Sequence, residues 1–298
     1  MTPVPPTPER LLRRLEWRVL RRLDGRMQGE YRTAFRGNGI DVADLREYQV
    51  GDDLRHIDWN VTARTTVTHV REYLEDREVT AWLVLDRSAS MDFGPVQRRK
   101  QVVLTEVAAA VAQLLSRGGN RVGAVLFDSQ VRETVPPGSG RRHVLHLLAR
   151  LLAPRPDGTA GRAQTDLGAA LRATAGIARR RSVIVVVTDF LSPPGWQRPL
   201  TLLARRHDVV PVQVVDPREF ELPSAGMLYV EDAETGEVIF VDTDDAGFRR
   251  RLREAGDARQ AELVAELASA GLRLHTVATD DDLVRALLRL TATRRRIR

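Results

Sequence analysis

Two runs constrain the fold of this chain more than any other feature: Val79–Leu85 and Val183–Thr188 are apolar at nearly every position. A strand without polar alternation is buried on both faces, as in the interior of a parallel sheet covered by helices. The surrounding pattern agrees. Further strands are predicted at Arg121–Phe127, Gln130–Val135, Val209–Val215 and Arg273–Val277. Apolar residues at helical spacing predict helices over Val96–Arg117, Arg141–Leu152, Asp166–Arg179, Gly195–Arg206, Asp245–Ala270 and Asp280–Leu290. The order is that of an α/β protein with a doubly wound, mainly parallel sheet and helices on both faces. A hairpin, Met227–Glu231 with Glu237–Val241, interrupts it and is turned by Glu234-Thr235-Gly236.

Four parts follow along the chain. Residues 1–28 hold a Pro-rich, disordered start and then an amphipathic basic helix from Pro8 to about Met27. Its Leu11, Leu12, Leu15, Val19, Leu20 and Leu23 form a stripe that needs a partner, the plainest being the protein's own core. Residues 29–78 form a polar extension with a strand near Thr66–Tyr73, read as ordered because Tyr31, Phe35, Tyr48 and Trp59 are large groups worth burying. Residues 79–293 are the main domain, with the hairpin insert at 227–241, and 294–298 are a basic tail.

In an open α/β sheet, ligands gather where strands deliver their carboxyl ends. Asp86, Ser88 and Ser90 follow the first apolar run, Asp189 follows the second, and Thr165 precedes a predicted helix. These five candidate ligands offer only oxygen, which suits a hard cation, Mg2+ or Mn2+, rather than zinc. Ser88 and Ser90 are two apart, so an extended chain points both hydroxyls to the side of Asp86. With two carboxylates among five donors, the ion would stay electrophilic and accept one more carboxylate from outside. The plainer alternative is capping: Ser and Asp after a strand often cap a helix, and Thr165 would serve as N-cap with Asp166 at the positive helix end.

A second polar cluster lies upstream. Asp52, Asp53, His56 and Asp58 are spaced like a metal or hydrolase centre, yet Arg46, Arg55 and Arg64 interleave with them. The favoured reading is a structural ion-pair loop of Arg46, Asp52, Asp53, Arg55, Asp58 and Arg64.

Asp86-x-Ser88-x-Ser90, Gln164-Thr165-Asp166-Leu167-Gly168 and Val187-Thr188-Asp189 together resemble the von Willebrand factor A (vWA) domain and its metal-ion-dependent adhesion site, or MIDAS. The resemblance implies a vWA/Rossmann-like fold. It also implies that the serines and threonine touch the metal, that the aspartates act directly or through water, and that a partner's acidic side chain completes the sphere. Gly39-Ile40-Asp41, Leu45-Arg46-Glu47-Tyr48, Gly51-Asp52-Asp53-Leu54-Arg55-His56-Ile57-Asp58-Trp59, Thr62-Ala63-Arg64-Thr65 and Val70-Arg71-Glu72 resemble the bacterial family called domain of unknown function 58 (DUF58). That resemblance implies a MoxR-type AAA+ ATPase, or the client it remodels, as partner.

Composition removes several other classes. The absence of cysteine excludes disulfides, thiol catalysis and thiolate metal sites. No apolar run approaches a bilayer span and no signal-peptide pattern opens the chain, so a cytoplasmic location is expected. Lys plus Arg of 46 against Asp plus Glu of 40 is a small surplus, carried almost wholly by arginine, and it calls for no specific nucleic acid. Peripheral membrane contact through the basic helix or tail stays open. A phosphotransferase of the haloacid-dehalogenase type needs a carboxylate where Ser88 stands and a lysine from a later loop, whereas Lys100, the only lysine, falls in the first helix of the main domain. No nucleophile elbow or phosphate loop occurs, so no catalytic residue is assigned. The expected function is a metal-dependent protein-binding module. A Mg2+-dependent phosphohydrolase and a basic-surface binder of nucleic acid or membrane are the alternatives.

Overall fold

The computed structural model describes residues 7–16, 41–50, 52–65, 67–74, 79–94, 98–154, 164–231 and 236–292. The two apolar runs become β3 (Thr80–Asp86) and β6 (Val183–Thr188), once a preceding pair, β1 (Asp41–Glu47) and β2 (His69–Leu74), is counted. With β4 (Arg121–Phe127), β5 (Val131–Gly138), β7 (Asp208–Val215) and β10 (His275–Ala278), they build a six-stranded sheet of order β10-β7-β6-β3-β4-β5. Every neighbouring pair is parallel except β4 with β5, whose short turn can only return antiparallel.

The period-two pleat of β3 divides the core. Ala81, Leu83 and Leu85 point into a cluster with α1 (Pro8–Leu15), α3 (Lys100–Arg117), α4 (Gly140–Leu152) and α8 (Leu283–Ala292). Trp82 and Val84 point into the opposite cluster, filled by α5 (Leu167–Ile177), α6 (Gln197–Arg206) and α7 (Ala246–Ser269). Helix α3 is buried nearly all round, from Val103 to Leu115, as a helix lying between the sheet and other helices must be.

Several boundaries differ from the sequence reading. Helix α3 begins at Lys100 rather than Val96, because Ser88 leads into a 3₁₀ turn over Ala89–Asp92 and Arg99 is still extended. Helix α5 begins at Leu167 with Asp166, not Thr165, as its cap: the Asp166 carboxylate accepts the Ala169 N–H at 2.7 Å. The polar extension carries more structure than one strand. β1 pairs antiparallel with β2, and a 3₁₀ turn (Leu54–His56) and α2 (Trp59–Thr65) lie between them. Trp59 is 69% exposed, contrary to expectation, since α2 is held by Asp58 accepting the Asn60 and Val61 N–H groups rather than by its first side chain.

In the loop before α2, Arg46 grips Asp52 with two 2.7 Å hydrogen bonds and keeps that carboxyl at about 2, while Arg55 meets Asp53 at 3.3 Å. Arg64 makes no ion pair among the described residues. The insert hairpin is β8 (Met227–Glu231) with β9 (Val238–Asp242); of its predicted turn, Glu234 and Thr235 lie outside the described residues. So do the Pro-rich start, the continuation of the first helix to Met27, Tyr31, Phe35 and the basic tail. No helix among the described residues is long and apolar enough to cross a membrane.

The described part of the first helix buries its share of the stripe, Leu11, Leu12 and Leu15, in the α3 and α4 cluster. Truncating the wholly buried Leu12 to Ala is expected to cost about 2–5 kcal/mol in denaturant unfolding. A cost below about 1 kcal/mol would show that α1 is not part of the core.

Candidate metal centre

Strands β3 and β6 are adjacent and parallel, with Leu85 opposite Val187, so the next residues, Asp86 and Thr188, arrive side by side at the carboxyl edge. The Thr188 hydroxyl donates to Asp86 Oδ2 at 2.5 Å, and the Ser88 N–H donates to Asp86 Oδ1 at 2.8 Å. The chain then turns so that the Ser88 and Ser90 hydroxyls lie 3.0 Å apart. One residue beyond β6, Asp189 accepts the Leu191 N–H through Oδ1 at 2.9 Å.

The third loop is fastened to the second by Ser192. Its hydroxyl donates to the Thr165 carbonyl at 2.7 Å and accepts the Leu167 N–H at 3.2 Å, while the Asp166 N–H reaches the Asp128 carbonyl at 2.9 Å. Asp166 takes the cap, and the Thr165 side chain lies buried, as do those of Asp86, Ser88, Ser90 and Asp189. Asp52, Asp53, His56 and Asp58 stay in the separate loop before α2. Among the described residues no three carboxylates or imidazoles gather at metal-binding spacing, so an ion here would rely on hydroxyl donors.

Asp86 carries the strongest electrostatic signal. Burial and the nearby charge of Asp189 push its carboxyl up to about 7, and its hydrogen-bond partners are neutral hydroxyl and amide groups. A buried carboxyl within electrostatic reach of a second carboxylate, beside the Ser88, Ser90 and Thr188 hydroxyls, is a donor set that fits a hard divalent cation.

Phe190, directly after Asp189, has φ of +59°, a rare conformation for a residue with a side chain. It is held by its N–H donating to the Thr188 hydroxyl at 3.2 Å and by packing on Trp196, 5.4 Å between ring centroids. The turn follows directly on Asp189, whose Oδ1 accepts the Leu191 N–H across it. Strain of this kind, of order 1–3 kcal/mol, persists where the surrounding structure fixes it.

The sequence reading missed Lys100. Its side chain is wholly buried, and Nζ lies 2.8 Å from Asp189 Oδ2 and 2.5 Å from Glu219 Oε1. Burial opposes its charge, but Asp189 and Glu219 outweigh burial and hold the pKa above the usual lysine value. Being the only lysine was a signal; the direction of its side chain was not readable. Arg98 anchors the same segment, donating to the Thr279 carbonyl at 2.6 Å and pairing with Glu106 at 2.5 Å.

Ser90 and Asp189 also line a groove of about 960 Å³. Its walls are Phe190 and Trp196, the inner hairpin face of Val230, Ile239 and Val241, and Phe248 and Leu263 of α7.

The family profile described as protein of unknown function DUF58 matches residues 44–262. The uncharacterized protein Rv1480 of Mycobacterium tuberculosis is 40% identical over 285 residues, 96% of this chain and 89% of its own length. Among solved structures, the conserved hypothetical protein BatB from Bacteroides thetaiotaomicron aligns over 73% of this chain and 99% of its own, at 19% identity and a TM-score of 0.46. The SpRpn10 VWA domain aligns over 72% and 95%, at 12% identity and a TM-score of 0.40.

Isotope labelling of the single lysine nitrogen should give one side-chain ammonium signal. Magnesium is expected to shift it, since the ion would lie beside the carboxylate that Lys100 holds. A signal unmoved by saturating magnesium would place any bound ion elsewhere.

Proposed function

We propose that this chain, which belongs to the DUF58 family, is a metal-dependent protein-binding module that captures an acidic side chain of a partner through a divalent cation. The carrying observation is the Asp86 carboxyl, buried beside Asp189, with neutral hydrogen-bond partners among the described residues and next to the paired Ser88 and Ser90 hydroxyls. Asp86, Ser88, Ser90, Thr165 and Asp189 would hold Mg2+ or Mn2+. A protein magnesium site commonly keeps open or water-filled positions, which suits a carboxylate arriving from outside. The groove supports the same reading: a partner's Asp or Glu reaching Ser90 and Asp189 would lay its apolar neighbours against the Trp196, Val230 and Ile239 that line the same groove. The family resemblance makes a MoxR-type AAA+ ATPase, or its client, the proposed partner.

A phosphohydrolase is the weaker reading on physical grounds. Asp86 is wholly buried, and Lys100, the cation such chemistry would use on phosphate, is already held by two carboxylates. No turnover of phosphate esters is expected with magnesium.

Asp86→Ala should abolish magnesium-dependent capture of the ATPase while circular dichroism keeps the wild-type spectrum, and excess chelator should release the wild-type complex. Capture that survives both treatments would refute the mechanism.

A further inference from the structure

The wholly buried Lys100 is a costly feature for a chain otherwise furnished with arginine, since an ammonium out of water must be matched by charge. It is matched twice, by partners 89 and 119 residues away. Glu219 is itself held in place: its other oxygen accepts the Asp216 N–H at 3.1 Å, and the Asp216 carboxylate accepts the Arg218 N–H at 2.8 Å, closing a capping box at the end of β7. Asp189 is equally constrained, with Oδ1 on the Leu191 N–H and Oδ2 on Lys100. Asp86, whose hydrogen-bond partners are neutral, lies within electrostatic reach of Asp189.

We propose that Lys100 is a built-in counter-cation that sets the charge the metal site presents. Among the proposed ligands and the direct partners of Lys100, Asp86, Asp189 and Glu219 carry three negative charges once an ion displaces the Asp86 proton, Lys100 cancels one, and the remaining two match a divalent ion. The Asp216 carboxylate stands behind them, held by the Arg218 N–H and the Thr279 hydroxyl. This rests on the metal reading above and adds to it a residue outside the five proposed ligands. Lys100 is a positioning and charge-setting residue: it holds Asp189 Oδ2 in place and keeps the site from favouring ions of higher charge. Glu219 belongs to the same unit, tying that balance to the wall of the groove.

The test measures ion binding directly, by calorimetry with Mg2+ and by sensitised luminescence with Tb3+, on the full chain. Removing the positive charge in Lys100→Met should tighten Mg2+ by at least about tenfold and raise the preference for Tb3+ over Mg2+ by more than that. Removing one negative charge in Glu219→Gln should act oppositely, weakening Mg2+ by at least about tenfold. The double variant K100M/E219Q restores the original balance and should return both quantities to within about threefold of wild type. If Lys100→Met does not fold, Glu219→Gln, which keeps the ammonium and its Asp189 contact, decides the matter alone. Wild-type protein that binds neither ion sinks the metal reading itself. Wild-type binding with Mg2+ affinity and Tb3+ preference unchanged in folded Lys100→Met or Glu219→Gln, or weakened in Lys100→Met without recovery in the double variant, overturns this inference and leaves the metal site standing.

Discussion

Two interior strands, each apolar on both faces, force a pair of acids together where neither would choose to be. β3 and β6 can lie next to one another only because helices cover both sides of the sheet, and parallel pairing then brings Asp86 and Asp189 to one rim. Most other features of that rim answer the resulting excess of negative charge. Thr188 and the Ser88 N–H offer hydrogen bonds, Lys100 offers a cation from α3, and the positive φ at Phe190 lets the chain turn while Asp189 faces inward. Among the described residues the Asp86 carboxyl has no cationic hydrogen-bond partner, and the Ser88 and Ser90 hydroxyls beside it have the chemistry to bind a hard ion.

The sheet was largely legible in the sequence because interior parallel strands advertise themselves by lacking alternation. The four runs at β3, β4, β6 and β7 appear within a residue or so of their expected bounds. The extension before the sheet was less legible. β1 and β2 are polar edge-type strands joined through turns, and α2 is fixed by the Asp58 cap, so hydrophobic period had little to report and Trp59 proved exposed.

At the site, residue types and spacing put Asp86, Ser88, Ser90 and Asp189 at or after strand ends and Thr165 before a helix, and the strand and helix bounds keep them in those positions. Residue types and spacing could not assign the cap. Thr165 and Asp166 are equally good cap residues on paper, and only the turn geometry gives the role to Asp166. Lys100 shows the deeper limit. Its place within a predicted helix did not show which way its side chain points, and its partners lie 89 and 119 positions onward, where only the tertiary fold brings them. A buried ion pair of long sequence separation leaves no local pattern.

Crystals grown with manganese and recorded at the metal's absorption edge would interrogate the central claim most directly. The account predicts one anomalous peak at the carboxyl edge of β3 and β6, bonded to the Ser88 and Ser90 hydroxyls at about 2.1–2.3 Å, with Asp86 and Asp189 beside it. Crystals grown in saturating manganese with no peak there, or with the only peak among Asp52, Asp53 and Asp58, would contradict it.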